Sequence, residues 1–338
     1  MIGSNWIRTA IVQVALASAI VSGSAALAQN VNSGEPPRGW AREFPLNGFQ
    51  KATVRYDEIM SGGPPRDGIP SIDNPIFRTI AEVENTFVPT EPVLSIEING
   101  DARAYPLRIL TWHEIVNDVV GGEPVTVTFC PLCNSGIAFR RTIDGRVNEF
   151  GVSGKLRNSD MVMYDRSTET FWQQFTGEGI IGPLTGYQLD MLPIRMESFQ
   201  RFTERHPDGM VQIPNDPRMR NYGRNPYGGY DSLNRPFLYF GDLPAGIPPL
   251  ARVIAIEDKA YALELLASQG QIDDGDLRLS WSAGQNSALD SGQINRGRDV
   301  GNVVVQRRGE DGVYRDEVHD VTFAFTFHAF RPEGEIVF

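Results

Sequence analysis

Val93-Leu-Ser-Ile-Glu-Ile-Asn-Gly-Asp-Ala-Arg-Ala-Tyr-Pro-Leu107 decides the fold. Apolar and polar residues alternate over 93–98, and the chain returns through 102–107. Asn99-Gly100 between them tolerates the positive φ of a tight turn, so the stretch reads as an antiparallel hairpin. Val253-Ile-Ala-Ile-Glu-Asp-Lys-Ala-Tyr-Ala-Leu263 echoes it with a shorter turn. Two further echoes follow in the same order. Phe129-Cys-Pro-Leu-Cys-Asn-Ser-Gly-Ile137 is answered by Trp281-Ser-Ala-Gly-Gln-Asn-Ser-Ala-Leu289, and Phe202-x4-Pro207-Asp-Gly209 by Phe327-x4-Pro332-Glu-Gly334. The expected fold is a β-rich α+β protein, mainly antiparallel sheets with short helices, in two related lobes from an ancient duplication. The second lobe carries Ser282 and Gln285 where the first has its cysteines.

Outward from the hairpin, Leu110, Ile115, Val116, Val119 and Val120 are spaced as a short helix over 110–120 that Gly121-Gly122 stops. Strands are expected over 125–129 and 137–143, with an Asp144-Gly145 turn into 147–152. Residues 196–205 read as a helix closed by Pro207, and 156–161 as a polar loop. The first lobe then spans 61–211, a loop-rich connection 212–235, and the second, degenerate lobe 236–338. Residues 29–60 lack any period and read as an extended leader.

The first 28 residues read as a secretory signal. Arg8 precedes an apolar run of about a dozen residues, too short to span a bilayer of ~30 Å, and Ala26-Leu27-Ala28 suits cleavage before Gln29. Cleavage leaves 30 basic against 42 acidic residues. That balance, with no polybasic run, argues against nucleic acid or an anionic membrane as partner. No later stretch is apolar enough to span a membrane. The mature protein is expected to be exported, periplasmic or secreted, where a disulfide can persist. With 41% hydrophobic and 22% charged residues, a disordered chain is excluded.

Cys130-Pro131-Leu132-Cys133 holds both cysteines of the chain. Two intervening residues bring the sulfurs within disulfide reach or within the bite of one metal ion. As a staple the pair gains little, because so short a ring restrains the unfolded chain by only ~2 kcal/mol against ~4.7 for a hundred-residue loop. As a dithiol couple, Cys130 attacks and Cys133 resolves, with Pro131 stiffening the loop between them. The pair sits between strands, with no helix N-terminus to acidify it. Thiolate stabilisation would then fall to loop N–H groups or to Arg140, Arg141, Lys155 and Arg157. Asn134, Ser135, Arg157 and Asp160 are the supporting candidates. In this reading no cofactor is needed, and the partner is a protein or small-molecule thiol or disulfide.

Two other readings stay open. One is a metal site, copper or zinc, using Cys130, Cys133, His113 and Met161, with Met163 on the same strand face. The other is a non-catalytic envelope binding module whose disulfide shapes a loop. Phosphate-binding, zinc-protease and serine-hydrolase motifs are absent from the sequence.

Asp67-Gly-Ile-Pro70, Ala104-Tyr-Pro-Leu107, Trp112-His-Glu-Ile-Val-Asn117, Thr128-Phe-Cys-Pro-Leu-Cys-Asn-Ser135 and Arg157-Asn-Ser-Asp160 together resemble a widespread bacterial family known only as a domain of unknown function. The resemblance covers roughly residues 60–335 and is strongest over 93–186. It implies selenocysteine in the cysteine motif of some members, and selenium is the better nucleophile and leaving group. What it implies for this chain is redox work at Cys130 and Cys133.

Overall fold

The computed structural model describes residues 34–338. The expected signal segment 1–28 lies outside them. The architecture is β-rich, with small, mainly antiparallel sheets and short helices. Among the described residues no helix is long and apolar enough to cross a membrane.

The founding hairpin forms as expected. Pro92–Ile98 pairs with Asp101–Pro106, and Asn99 and Gly100 take φ of 51° and 81° between them. Arg195–Ser198 adds antiparallel to one side and Met210–Ile213 parallel to the other. Arg252–Ile256 and Lys259–Ala262 make the second hairpin, flanked antiparallel by Asp320–Phe323 and parallel by Glu335–Val337. The two hairpin sheets therefore share the order and direction of four strands, and Ile76–Thr79 adds a fifth to the first. Each has a further antiparallel sheet. In the first its order is Ile115–Val120, Glu123–Cys130, Ser135–Arg140 and Met191–Leu192. In the second it is Gln271–Asp274, Leu277–Ser282, Asn302–Arg308 and Tyr314–Asp316. The third sequence echo has a packing reason. A Cβ on Gly209 would lie 2.6 Å from the Phe202 ring, and one on Gly334 2.7 Å from the Phe327 ring.

The lobes clasp each other. Asn134 Nδ2 donates to the Val321 carbonyl at 2.7 Å, and Ser198 N donates to Asn302 Oδ1 at 2.7 Å in the reciprocal sense. Leu94, Phe129 and Ile137 of the first lobe share one apolar core with Val253, Phe323 and Phe325 of the second. A sheet built on Phe150–Arg157 and Asp160–Asp165 belongs to the first lobe alone among the described residues.

Four expectations are corrected. Residues 110–120 are not one helix: helix Leu107–His113 ends at Glu114, whose φ of 59° breaks the helical path, and Ile115–Val120 is strand. Adjacent apolar pairs at 115–116 and 119–120 fit a strand buried at all but Val119 as well as a helix. Residues 195–198 are strand, and the following helix starts only at Phe199, capped by Ser198 Oγ. Residues 156–161 are the tip of a hairpin, not a loop. The described part of the leader is built into the protein, with Trp40, Phe44, Phe49 and Tyr56 clustered on Tyr164 and Phe171. Aromatic residues that pack from an irregular segment leave no period to read.

Candidate functional site

The strand Glu123–Cys130 runs directly into a tight turn. Cys133 N donates to the Cys130 carbonyl at 3.2 Å and Asn134 N to that of Pro131 at 3.3 Å. Asn134, at φ 52°, reverses the chain so that Ser135 pairs with Cys130 across the ladder. Asparagine tolerates that conformation better than other non-glycine residues. Contacts from outside the sheet hold the turn. Thr322 Oγ1 and Phe323 N donate to the Cys133 carbonyl at 2.8 and 3.0 Å, and Tyr230 Oη donates to that of Leu132 at 2.8 Å.

Facing it is the turn Arg157-Asn158-Ser159-Asp160. Asn158 and Ser159 both have positive φ, 52° and 65°, the twist a two-residue hairpin requires. Serine is not a favoured residue there, and its hydroxyl is tied down by donating to the Phe237 carbonyl at 2.6 Å. The turn aims the Ser159 carbonyl at both thiols, 3.6 Å from Cys133 Sγ and 3.9 Å from Cys130 Sγ. Asp160 follows at once. Its Oδ1 accepts from Gln173 Nε2 at 2.6 Å and Phe175 N at 3.0 Å. Its Oδ2 is buried and receives no N–H or O–H. Both sulfurs and an Asp160 carboxylate oxygen lie within 4.8 Å of one another.

These groups sit in a buried, acidic interior. Cys130 is 2% exposed, and Cys133 and Asp160 are 0% exposed. Burial pushes the Cys130 thiol up, against a lowering bond from the Cys133 thiol, and the nearby Asp160 and Glu114 charges push it further. Burial drives Cys133 well above the ordinary thiol range. Asp160 is pushed up to about 6 by burial, even though Phe175 N, Gln173 and the two thiols favour its charged form. Glu114 rises to about 8 through burial and then the charge of Asp160. Asp320, whose Oδ1 accepts from Gly136 N at 2.9 Å, rises to about 7, chiefly by burial.

One cavity of about 90 Å³ reaches the cluster. Its walls include Glu114, Cys130, Lys155, Met161 and Tyr227, and Cys133 and Asp160 are not on them. The cavity is about three water volumes, taking ~30 Å³ per water.

The structure thus brings together Cys130, Cys133 and Asp160, with Pro131 and Met161 on the cavity wall. Asn134 and Ser135 shape the turn. Met163 is buried in the shared core. Both ring nitrogens of His113 are engaged elsewhere, Nδ1 with the Pro70 carbonyl at 2.7 Å and Nε2 with Tyr222 Oη at 2.8 Å. Arg157 turns to Glu58, with Nε 2.8 Å from the carboxylate. The other cations proposed to stabilise a thiolate are also bound to other groups: Lys155 to Glu43 at 2.7 Å, Arg140 to Glu123, and Arg141 to the Asp118 and Asn148 carbonyls. Sequence reasoning missed Glu114, hidden inside the misread helix, and Tyr227 and Asp320, which approach from remote segments. Glu114 had a signal, its place in the Trp112–Asn117 string.

A family model described as a protein of unknown function, DUF3179, matches residues 66–334. The chain belongs to the DUF3179 family. That match spans both lobes, so every group of the site from Glu114 to Asp320 lies inside the DUF3179 region. Comparison with curated proteins and with solved structures found no match.

Proposed function

We propose that Cys130, Cys133 and Asp160 form a metal centre for a borderline divalent ion of the zinc type. The observation that carries this is the buried set of two thiols and a carboxylate oxygen within 4.8 Å. Two soft thiolates with one carboxylate suit zinc better than a hard ion, and better than copper(I), which favours all-sulfur surroundings. The acidity of the interior supports it. The partners of Asp160 are an amide, a backbone N–H and thiols rather than a guanidinium or ammonium, so a bound cation would offset charges that burial now suppresses. Binding would release the thiol protons.

The test is zinc and cobalt(II) titration of reduced protein under anaerobic conditions. One equivalent is expected to bind, with thiolate-to-cobalt charge-transfer absorption. Binding should be lost in Cys130→Ser and Cys133→Ser and weakened at least tenfold in Asp160→Asn. Folded, reduced protein that takes up no stoichiometric metal refutes the proposal.

A second reading, a dithiol–disulfide couple acting on a thiol or disulfide partner, is favoured by one feature: the two sulfurs lie within 4.8 Å of each other and Cys130 lines the cavity. Against it stand the raised thiols, since the thiolate is the attacking species. Alkylation across a graded glutathione series decides, and a couple that stays reduced throughout the series would dismiss this reading. We further propose that the protein is exported, on the strength of the Arg8–Ala28 segment. Its recovered N-terminus should be Gln29. We also read the two lobes as products of one duplication, supported by their common strand order and matched glycines.

A further inference from the structure

The two hairpin tips that meet at the thiols are joined a second time, by the connection between the lobes. Tyr230 Oη donates to the carbonyl of Leu132, between the two cysteines, at 2.8 Å. The same Oη accepts from Phe237 N at 3.4 Å, and the Phe237 carbonyl accepts from Ser159 Oγ at 2.6 Å. Ser159 is also the residue whose own carbonyl lies 3.6 and 3.9 Å from the two sulfurs. A continuous bridge therefore runs from the cysteine turn, through Tyr230 and the Phe237 backbone, to the turn that faces it. We infer that residues 234–238 are a strap latched on Tyr230 and Ser159, and that its release parts the two tips and admits small reagents or ions to the thiols. The inference goes beyond the metal reading and applies equally to thiols that bind an ion and thiols that exchange electrons.

The strap is placed to open while the fold stays shut. Its two ends are anchored. Asp231 is bound to Arg252 at 2.8 Å, the Tyr230 ring packs edge-on against Phe323, and the Tyr239 ring lies 5.0 Å from that of Phe325. Between those anchors, Asn234, Arg235 and Phe237 are exposed, and Pro236 is buried. Among the described residues, the hydrogen bonds that hold 234–238 are the two made by the Phe237 backbone. The Phe237 side chain is 59% exposed and adds little apolar burial to the latch. Leu238 takes φ 54°, a left-handed conformation that strains a leucine and works against closure. Closure thus depends on a few neutral hydrogen bonds, each of modest net strength. The thiols, 2% and 0% exposed, need such a movement before a reagent can reach them.

The experiment treats reduced, metal-free, full-length protein with N-phenylmaleimide and counts modified cysteines by mass spectrometry. In the wild type the rate is expected to be nearly flat across urea concentrations below the unfolding transition, because opening a short strap exposes little surface. Ser159→Ala, which removes one latch, should raise the rate at least about fivefold. Tyr230→Phe, which keeps the ring but cuts the bridge at its middle, should do the same. A wild-type rate that climbs with urea as steeply as unfolding itself would overturn the inference, since the thiols would then be reached through global unfolding alone. A flat rate that neither variant accelerates would overturn it too and move the entry to the cavity beside Cys130. Because no metal is present, either failure leaves the metal reading standing, and a failed zinc titration leaves the strap standing.

Discussion

Asp231, in the connection between the lobes, lies against Arg252 at 2.8 Å, Arg298 at 2.8 Å and Ser287 Oγ at 2.6 Å. Burial alone would raise it, yet the Arg252 charge and these bonds hold it below the ordinary carboxylate range. Asp160 is buried more deeply still, is surrounded by an amide, a peptide N–H and two thiols with no cation, and moves the opposite way. The same chain thus surrounds one buried acid with guanidinium groups and places another among further acids. Ser287 stands in the second lobe's echo of the cysteine motif. That stretch therefore abuts a permanently paired acid, whereas the cysteine turn abuts an acid of variable charge.

The largest break in this contrast should come from Asp231→Ala. Removing one partner of a buried pair strands the buried Arg252, and a loss of about 3–5 kcal/mol is expected in urea unfolding. An equal loss in Asp160→Asn would erase the distinction.

The pH response comes next. Glu114 and Asp320 sit at about 8 and about 7 in the folded state, far above their unfolded values near 4. A folded-state value raised in this way gives stability that is whole below about pH 4 and is lost as pH climbs through 7 and 8. Metal-free protein should therefore be less stable at pH 8.5 than at pH 6 by about 4 kcal/mol. Saturating zinc should flatten that slope. A metal-free protein that gains stability over this range contradicts the account of the acidic interior.

The smallest effect, and the most diagnostic, is Asp160→Asn in metal-free protein. The amide keeps an acceptor for Gln173 and Phe175 and removes the charge, so a gain of about 1 kcal/mol is expected at pH 8. A stabilised variant that no longer binds metal would show the carboxylate is retained for chemistry.

Much of this was legible in the residues. Asn99-Gly100 and Asp144-Gly145 mark their turns because few other pairs accept two successive positive φ angles. The Cys130–Cys133 turn was read correctly as strand–loop–strand because Ile137-Ala-Phe139 has no helical spacing. Asp160 could be singled out from the Arg157–Asp160 string, though not its closeness to the sulfurs, which depends on two hairpin tips meeting. Glu114 was lost because a buried strand and a helix face are alike in an apolar run, and the residue that separates them does so through its backbone. Tyr227, Tyr230 and Phe237 were invisible for a different reason. They come from a segment whose composition announces only turns, and each acts through a contact made across the fold.

The clasp on the cysteine turn orders events in time. Val321, Thr322 and Phe323, which fix the carbonyl and side chain of the turn, lie almost 190 positions downstream of Asn134 and Cys133. A ribosome releases the cysteines long before it makes the strand that fastens them. The thiols of a growing chain therefore spend most of synthesis unclasped, open to oxidants and to any carrier that delivers an ion, and the strand Asp320–Phe323 shuts the door.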